Sequence, residues 1–156
     1  MRALLQRVSS AEVRVEGQAV GTIGPGLLVL VGVAPADDEL VVAALAARVV
    51  ALRIFADAGG RTNLSVADVG GAALVVSQFT LYADSSRGRR PSFMAAAGPV
   101  QGEKMYDSFC DAVAAHGIHV ERGRFGAQME VEMVGDGPFT VWLDSKELGI
   151  EPGSAS

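Results

Sequence analysis

The stretch Leu27-Leu-Val-Leu-Val-Gly-Val33 constrains the fold more than any other part of the chain. It is entered through Gly24-Pro25-Gly26, strong turn punctuation. An apolar run of this length, bounded by turn residues, reads as a strand buried on both faces. Such a strand needs cover on each side. A chain of 156 residues can supply it, because at that size folding removes roughly 70% of the unfolded chain's surface from water.

The flanking sequence supplies the partners. Glu12–Glu16 alternates polar and apolar residues and reads as a half-buried strand, with a turn at Gly17-Gln18 leading into a second strand over Ala19–Ile23. Asp37 is placed as a helix N-cap, with Asp38 and Glu39 in the first turn, where the helix dipole favours carboxylates. Leu40, Ala44, Leu45, Arg48, Val49 and Leu52 recur at helical spacing and predict a helix over 38–52. A short strand closed by Gly59-Gly60 follows, then an apolar strand over 74–78 that ends in polar residues. A second helix is expected over about 102–116, with Met105, Phe109, Ala112, Val113 and His116 as its buried stripe and Gly117 as its C-cap. Gln128–Val134 alternates cleanly, and Phe139–Leu143 follows Gly135-Asp-Gly-Pro138, a turn between two strands by default. Many strands with two helices, without regular βαβ alternation, indicate an α+β class. Residues 1–150 are expected to form one domain, with 151–156 as a flexible tail.

Composition removes several classes of function. Apolar residues make up 49% and charged residues 20%, which is globular and not disordered. No apolar run reaches the roughly 18 residues of a membrane span. Gln6 and Arg7 interrupt any secretory h-region, so no leader is expected. The single cysteine, Cys110, excludes an internal disulfide and points to a reducing compartment; a cytoplasmic protein is expected. One Cys and two His leave no structural zinc set, and neither a cofactor nor a metal is expected. The net charge of −5 offers no general basic surface for nucleic acid. No DNA partner is expected, and any RNA contact has to be local.

Three segments could carry chemistry. The first is Ser77-Gln-Phe-Thr-Leu81, where an apolar strand runs into three hydrogen-bonding side chains. Strand alternation would put Ser77 and Phe79 on one face and Gln78 and Thr80 on the other, unless the chain twists or bulges there. A strand end is a rigid place from which to present polar groups, although polar side chains there also satisfy backbone groups. The second is Gly135–Thr140, either a plain hairpin turn or, if the Gly137–Pro138 bond is cis, a place where neighbouring carbonyls approach a ligand with no Cβ in the way. The third is Ser86-Arg-Gly-Arg-Arg-Pro91, either a solvated loop or a phosphate contact through Arg87, Arg89 and Arg90. His116, His119, Cys110, Phe139 and Trp142 read as structural residues. No triad, phosphate loop or dinucleotide fingerprint is present.

These segments together resemble the D-aminoacyl-tRNA deacylases of the bacterial and eukaryotic type. The similarity runs from Met1 to about Ser145 and includes Gln6-Arg-Val8, Gly24–Gly32, Leu52-Arg-Ile-Phe55, Asn63, Ser77–Leu81, Arg90-Pro-Ser-Phe93, Gly123–Met129 and Asp136-Gly-Pro-Phe-Thr140. One departure is Gly135, where the family motif usually has Asn. The resemblance implies a homodimer with a β-barrel-like core of mostly antiparallel strands and two main helices. It implies hydrolysis of the ester between a D-amino acid and the 3′-terminal ribose of tRNA, with glycyl-tRNA cleaved as well. Gly137-Pro138 would be cis and reach into the partner subunit's site, rejecting L-amino acids by clash. Ser77, Gln78 and Thr80 would be the catalytic set, and Phe79, with Phe125 or Met129, would pack against the terminal adenine. Arg87, Arg89 and Arg90 would meet tRNA phosphates. Two other readings stay open: an esterase for small activated esters, and a non-catalytic dimer that binds RNA ends.

Overall fold

The computed structural model describes residues 1–153; residues 154–156, which hold half of the expected tail, lie outside the described residues. The chain runs β1 (Arg2–Val15), β2 (Gln18–Ile23), β3 (Gly26–Gly32), α1 (Glu39–Ala51), β4 (Phe55–Ala56), β5 (Thr62–Leu64), β6 (Ala72–Ser77), a 3-10 turn (Phe79–Tyr82), α2 (Pro99–Ala114), β7 (His119–Arg122) and β8 (Glu130–Asp144).

The doubly buried strand is at the centre. β3 lies between β1 and β6, and its side chains divide by parity. Leu27, Val29 and Val31 join Leu5, Ala73 and Val75 in a core packed against the helices, where Leu45, Val49, Phe109 and Val113 are buried. Leu28 faces the other way and joins Val8, Val13, Ile23, Leu74 and Val76 in a second core, with Leu30 packed against it. Period-two alternation therefore serves two apolar layers at once, as a continuous apolar run requires.

The sheet is mixed and nearly closed. β1 pairs antiparallel with β2, β3 and β8, and β6 pairs parallel with β3 and β7. Antiparallel pairing predominates, as expected, but the two parallel pairings need long crossovers, and α1 and α2 occupy those connections. The close approach of β2 to β7 requires glycine: a Cβ on Gly21 would stand 2.8 Å from the Arg122 carbonyl oxygen.

Several local expectations are corrected. The β1–β2 turn is Glu16-Gly17, both at positive φ, and not Gly17-Gln18. Asp38, not Asp37, caps α1, accepting from the Leu40 and Val41 amides at 3.0 Å each. Asp37 is buried and accepts from the α-amino group of Met1 at 2.6 Å and from the Ala34 amide at 2.6 Å. Two adjacent aspartates offer the same cap, and an interior amine captures the first. α2 starts one turn earlier than its stripe suggests because Pro99 sits in the first turn, where its missing N–H costs nothing. His116 is exposed beyond the end of α2, and Tyr106 and Cys110 complete the buried stripe. Burial pushes the Cys110 thiol up to about 11. The C-cap expected at Gly117 is corrected: Ala115 caps α2, and Gly117 follows two residues later at φ +82°, turning the chain toward β7.

Candidate functional site

The polar segment at the end of β6 is not an extended strand. β6 stops at Ser77, the Gln78 amide donates to the Val31 carbonyl at 2.7 Å, and residues 79–82 wind into a 3-10 turn. Strict alternation beyond Ser77 is therefore corrected. The physical reason lies in β3. Gly32 has no side chain, and the turn folds over it: a Cβ there would stand 3.1 Å from the Gln78 oxygen and 3.2 Å from both Leu81 Cβ and Tyr82 Cδ2.

The turn opens beside a cleft of about 730 Å³. Ser77, Gln78 and Phe79 form one wall. Phe93, Ala96 and Ala97 come from the loop before α2, and Pro99 and Gly102 from the helix's first turn. Phe125, Gly126, Ala127, Gln128 and Met129 form the opposite wall. Phe79 and Phe93 meet edge to face at 5.2 Å, and both are exposed at the cleft mouth. Phe125 leans on Tyr106 at 6.0 Å, and the Tyr106 hydroxyl donates to the Val75 carbonyl at 2.8 Å, fixing that wall to β6. Gly102 leaves room for the Phe125 ring: a Cβ there would touch it at 3.4 Å.

Five of the residues expected at the site thus line one cleft: Ser77, Gln78, Phe79, Phe125 and Met129. Thr80 is exposed just outside the lining, and its hydroxyl accepts a hydrogen bond from Gln78 Nε2. Arg87, Arg89 and Arg90 do not line the cleft; they lie on an exposed loop closed by the Asp84–Ser92 bridge, immediately before Phe93. Sequence reasoning missed Ala96, Ala97, Pro99 and Gly102, small residues whose contribution is the space they leave.

The lining carries no acidic, basic or histidine side chain. It offers a hydroxyl, two carboxamides and backbone groups. Such a surface can position a substrate and donate hydrogen bonds to developing negative charge, but it has no protein group poised to take a proton. Among the described residues there is no cluster of three or more His, Cys, Asp or Glu that could hold a metal ion.

Gly137 and Pro138 lie elsewhere. The default hairpin reading is corrected, because β8 is one strand paired with β1 along nearly its whole length. Gln6 faces Thr140 and Val8 faces Gly135, so residues 136–139 form a bulge thrown out of an otherwise continuous ladder. The Gly137–Pro138 peptide bond is cis and Gly137 has φ +141°. Neither residue lines the cleft of its own chain. Arg7 holds the base of the bulge: Nε donates to the Asp136 carbonyl at 3.0 Å, Nη1 donates to the Ile54 carbonyl at 2.5 Å, and the guanidinium lies 4.8 Å from the Phe139 ring centre. Gly135 stays in the ladder with open space around it; a Cβ there would meet only Met133 Cε, at 3.4 Å.

Comparison with known proteins agrees with this architecture. The family model described as D-Tyr-tRNA(Tyr) deacylase matches residues 4–144. A D-aminoacyl-tRNA deacylase of Dinoroseobacter shibae is 60% identical over 144 residues, covering 92% of this chain and 99% of that protein. One of Cereibacter sphaeroides is 58% identical, covering 93% of this chain and all of that protein. Among solved structures, the "c-Myc DNA Unwinding Element Binding Protein" superposes with a TM-score of 0.88 at 35% identity, over 93% of this chain and 99% of that one. A structure described as "Structural Analysis of a probable eukaryotic D-amino acid tRNA deacylase" shares the fold, with a TM-score of 0.81 at 18% identity over 91% of this chain and 97% of that one. The chain belongs to the D-Tyr-tRNA(Tyr) deacylase family.

Proposed function

We propose that this chain hydrolyses the ester linking a D-amino acid to the 3′-terminal ribose of tRNA. The observation that carries the reading is the division of the two motifs. The Ser77–Phe79 wall borders a cleft large enough for a terminal nucleoside and its amino acid, while the cis Gly137-Pro138 unit is displayed on a bulge that its own cleft does not use. A homodimer reconciles them, with each cleft completed by the Gly137 and Pro138 carbonyls of a second copy. Val134 and Trp142 on β8 leave exposed apolar surface on either side of the bulge, suited to burial against that copy.

In this assembly the two carbonyls accept hydrogen bonds from the substrate's α-ammonium. They fill the space that an L side chain must enter, so L-aminoacyl-tRNA is rejected by clash. A D side chain points outward. Glycine has no side chain to exclude, and glycyl-tRNA is cleaved. Phe79, Phe125 and Met129 pack against the terminal adenine, and Gln78 and Ser77 orient the ribose and ester.

The untitratable lining favours a mechanism in which the 2′-OH of the terminal adenosine assists water, and backbone N–H groups at Phe79 and Thr80 stabilise the oxyanion. The products are free tRNA and a free D-amino acid. Thr80, Gln78 and Ser77 act as positioning groups around that step, and no acyl-enzyme forms. Arg87, Arg89 and Arg90 contact the acceptor end from the neighbouring loop. With so few phosphates neutralised and a net charge of −5, binding depends only weakly on salt. The site of action is the cytoplasm.

The test is steady-state deacylation of D-Tyr-tRNA, L-Tyr-tRNA and Gly-tRNA. Rapid cleavage of the D substrate, measurable cleavage of the glycyl substrate and negligible cleavage of the L substrate support the reading. Equal rates on D and L end it. Cleavage of small D-amino-acid esters but not of D-Tyr-tRNA would favour the esterase reading.

A further inference from the structure

We infer that Arg2, outside the cleft, is a positioning residue that holds the 3-10 turn bearing Phe79 and Thr80 in register with the rest of the site. This rests on the deacylase reading in one respect, that the turn's backbone N–H groups face the reacting ester.

The argument begins with register. Arg2 lies on β1 directly between Gly32 of β3 and Asp144 of β8. Directly paired residues share a face of the sheet. On one side of Arg2 there is thus a carboxylate, and on the other a glycine over which the turn folds. The guanidinium uses both. Nε donates to Asp144 Oδ2 at 2.8 Å, and Nη1 donates to the Leu81 carbonyl at 2.9 Å. The same group lies 4.4 Å from the Tyr82 ring centre and 5.5 Å from that of Trp142. A planar donor fork packed against two rings has little rotational freedom to lose when it makes these bonds.

Asp144 is itself fixed. Burial opposes its charge, but the Arg2 guanidinium and the Lys146 amide, at 3.0 Å, together hold its carboxyl below the usual carboxylate range. The load passes into the turn through backbone. Leu81 donates its amide to the Gln78 carbonyl at 3.2 Å, and Gln78 donates its own to Val31 at 2.7 Å. The turn is therefore tied to β3 at its entrance and to Arg2 at its exit. Phe79 and Thr80 are exposed and lie between the two ties. Removing the exit tie frees the segment that presents the oxyanion donors, and a small misplacement of such donors is expensive in rate.

The test uses the full chain with Arg2→Met, which keeps the length and the contact with Tyr82, and Arg2→Lys, which keeps one donor for Leu81. Two readouts are taken: kcat and KM on D-Tyr-tRNA, and hydrogen–deuterium exchange of the peptide covering 79–83. Arg2→Met is expected to lower kcat about tenfold, leave KM within about twofold and speed exchange in that peptide. Arg2→Lys is expected to recover part of both. Parental kcat and parental exchange in Arg2→Met would overturn the proposal. So would an effect on KM alone, or an Arg2→Lys variant no better than Arg2→Met. If the parent itself fails to cleave D-Tyr-tRNA, the deacylase reading falls, and the exchange measurement still decides whether Arg2 holds the turn.

Discussion

The 3-10 turn at 79–82 and the bulge at 136–139 both interrupt regular strand geometry, and they are held in opposite ways. The turn lies over a glycine, is tied to β3 by the amide that Gln78 donates to Val31, accepts a hydrogen bond from Arg2 of β1, and borders a cleft. The bulge leaves a continuous ladder, is fixed at its base by Arg7 and borders no cleft of its own. The difference teaches that the turn is anchored at both its entrance and its exit, whereas the bulge is anchored at its base and projects from the ladder. A bulge costs ladder hydrogen bonds and is retained where it re-aims a group. Here the re-aimed group is the Gly137-Pro138 unit, which does not line the cleft of its own chain.

The comparison can be broken most easily at Gly137. Its φ of +141° disfavours any side chain, and a Cβ would stand 2.6 Å from the Phe139 nitrogen. Gly137→Ala is expected to lower kcat/KM on D-Tyr-tRNA about 100-fold or more, the scale of losing a preorganised polar contact. Thermal melting should show a stability loss of only about 1 kcal/mol, because strain in an exposed bulge leaves the core intact. Next comes Arg7→Ala, which frees the base of the bulge. Activity should fall about tenfold with the secondary structure unchanged by circular dichroism.

On the turn, Gly32→Ala forces the Gln78–Tyr82 segment outward by a few tenths of an ångström. A several-fold loss of kcat is expected, smaller than at Gly137 because the turn can shift as a unit. Thr80→Ala should keep its rate within about fivefold, since a positioning hydroxyl contributes one ordinary hydrogen bond of about 1 kcal/mol. A trapped acyl-Thr80 or acyl-Ser77 species would contradict the proposed mechanism. The smallest effect belongs to Gly135→Asn. The position is in the ladder with open space beside it, and activity should stay within about twofold of the parent.

Asp144 supplies a pH test of the turn. Its folded-state carboxyl titrates below the ordinary value of 3.8, so it contributes stability above that pH and loses it as the pH falls through the depressed value. Exchange of the 79–83 peptide should be unchanged between pH 7 and pH 5 after correction for intrinsic rates, and should rise below pH 4.

Much of this was legible in the chain. The unbroken run at Leu27–Val33 announces two apolar layers, and both are present. The polar end of β6 and the Phe125–Met129 segment, far apart in sequence, both read as site residues and meet in one cleft. What was not legible depends on partners that periodicity cannot supply. The strand ends at Ser77 because Val31 takes the Gln78 amide and Gly32 makes room, facts about β3. The Gly-Pro segment is a bulge and not a hairpin because β1 is long enough to pair on both sides of it. Asp37 lost its cap to Asp38 because an amine distant in sequence reaches it. Ala96, Ala97, Pro99 and Gly102 have no chemistry to advertise.

The central claim is that each active cleft uses the Gly137-Pro138 unit of a second copy. The most direct measurement mixes two variants, Gly137→Ala and Gln78→Ala, each first shown to be folded and nearly inactive on D-Tyr-tRNA, and allows the subunits to exchange. If sites are shared between copies, the mixed dimer pairs an intact cleft from one chain with an intact bulge from the other, and about a quarter of parental activity returns in an equimolar mixture of a two-fold dimer. If each chain supplied its own Gly-Pro unit, every site in the mixture would carry a defect, and the absence of any recovery after subunit exchange had been demonstrated would contradict the account.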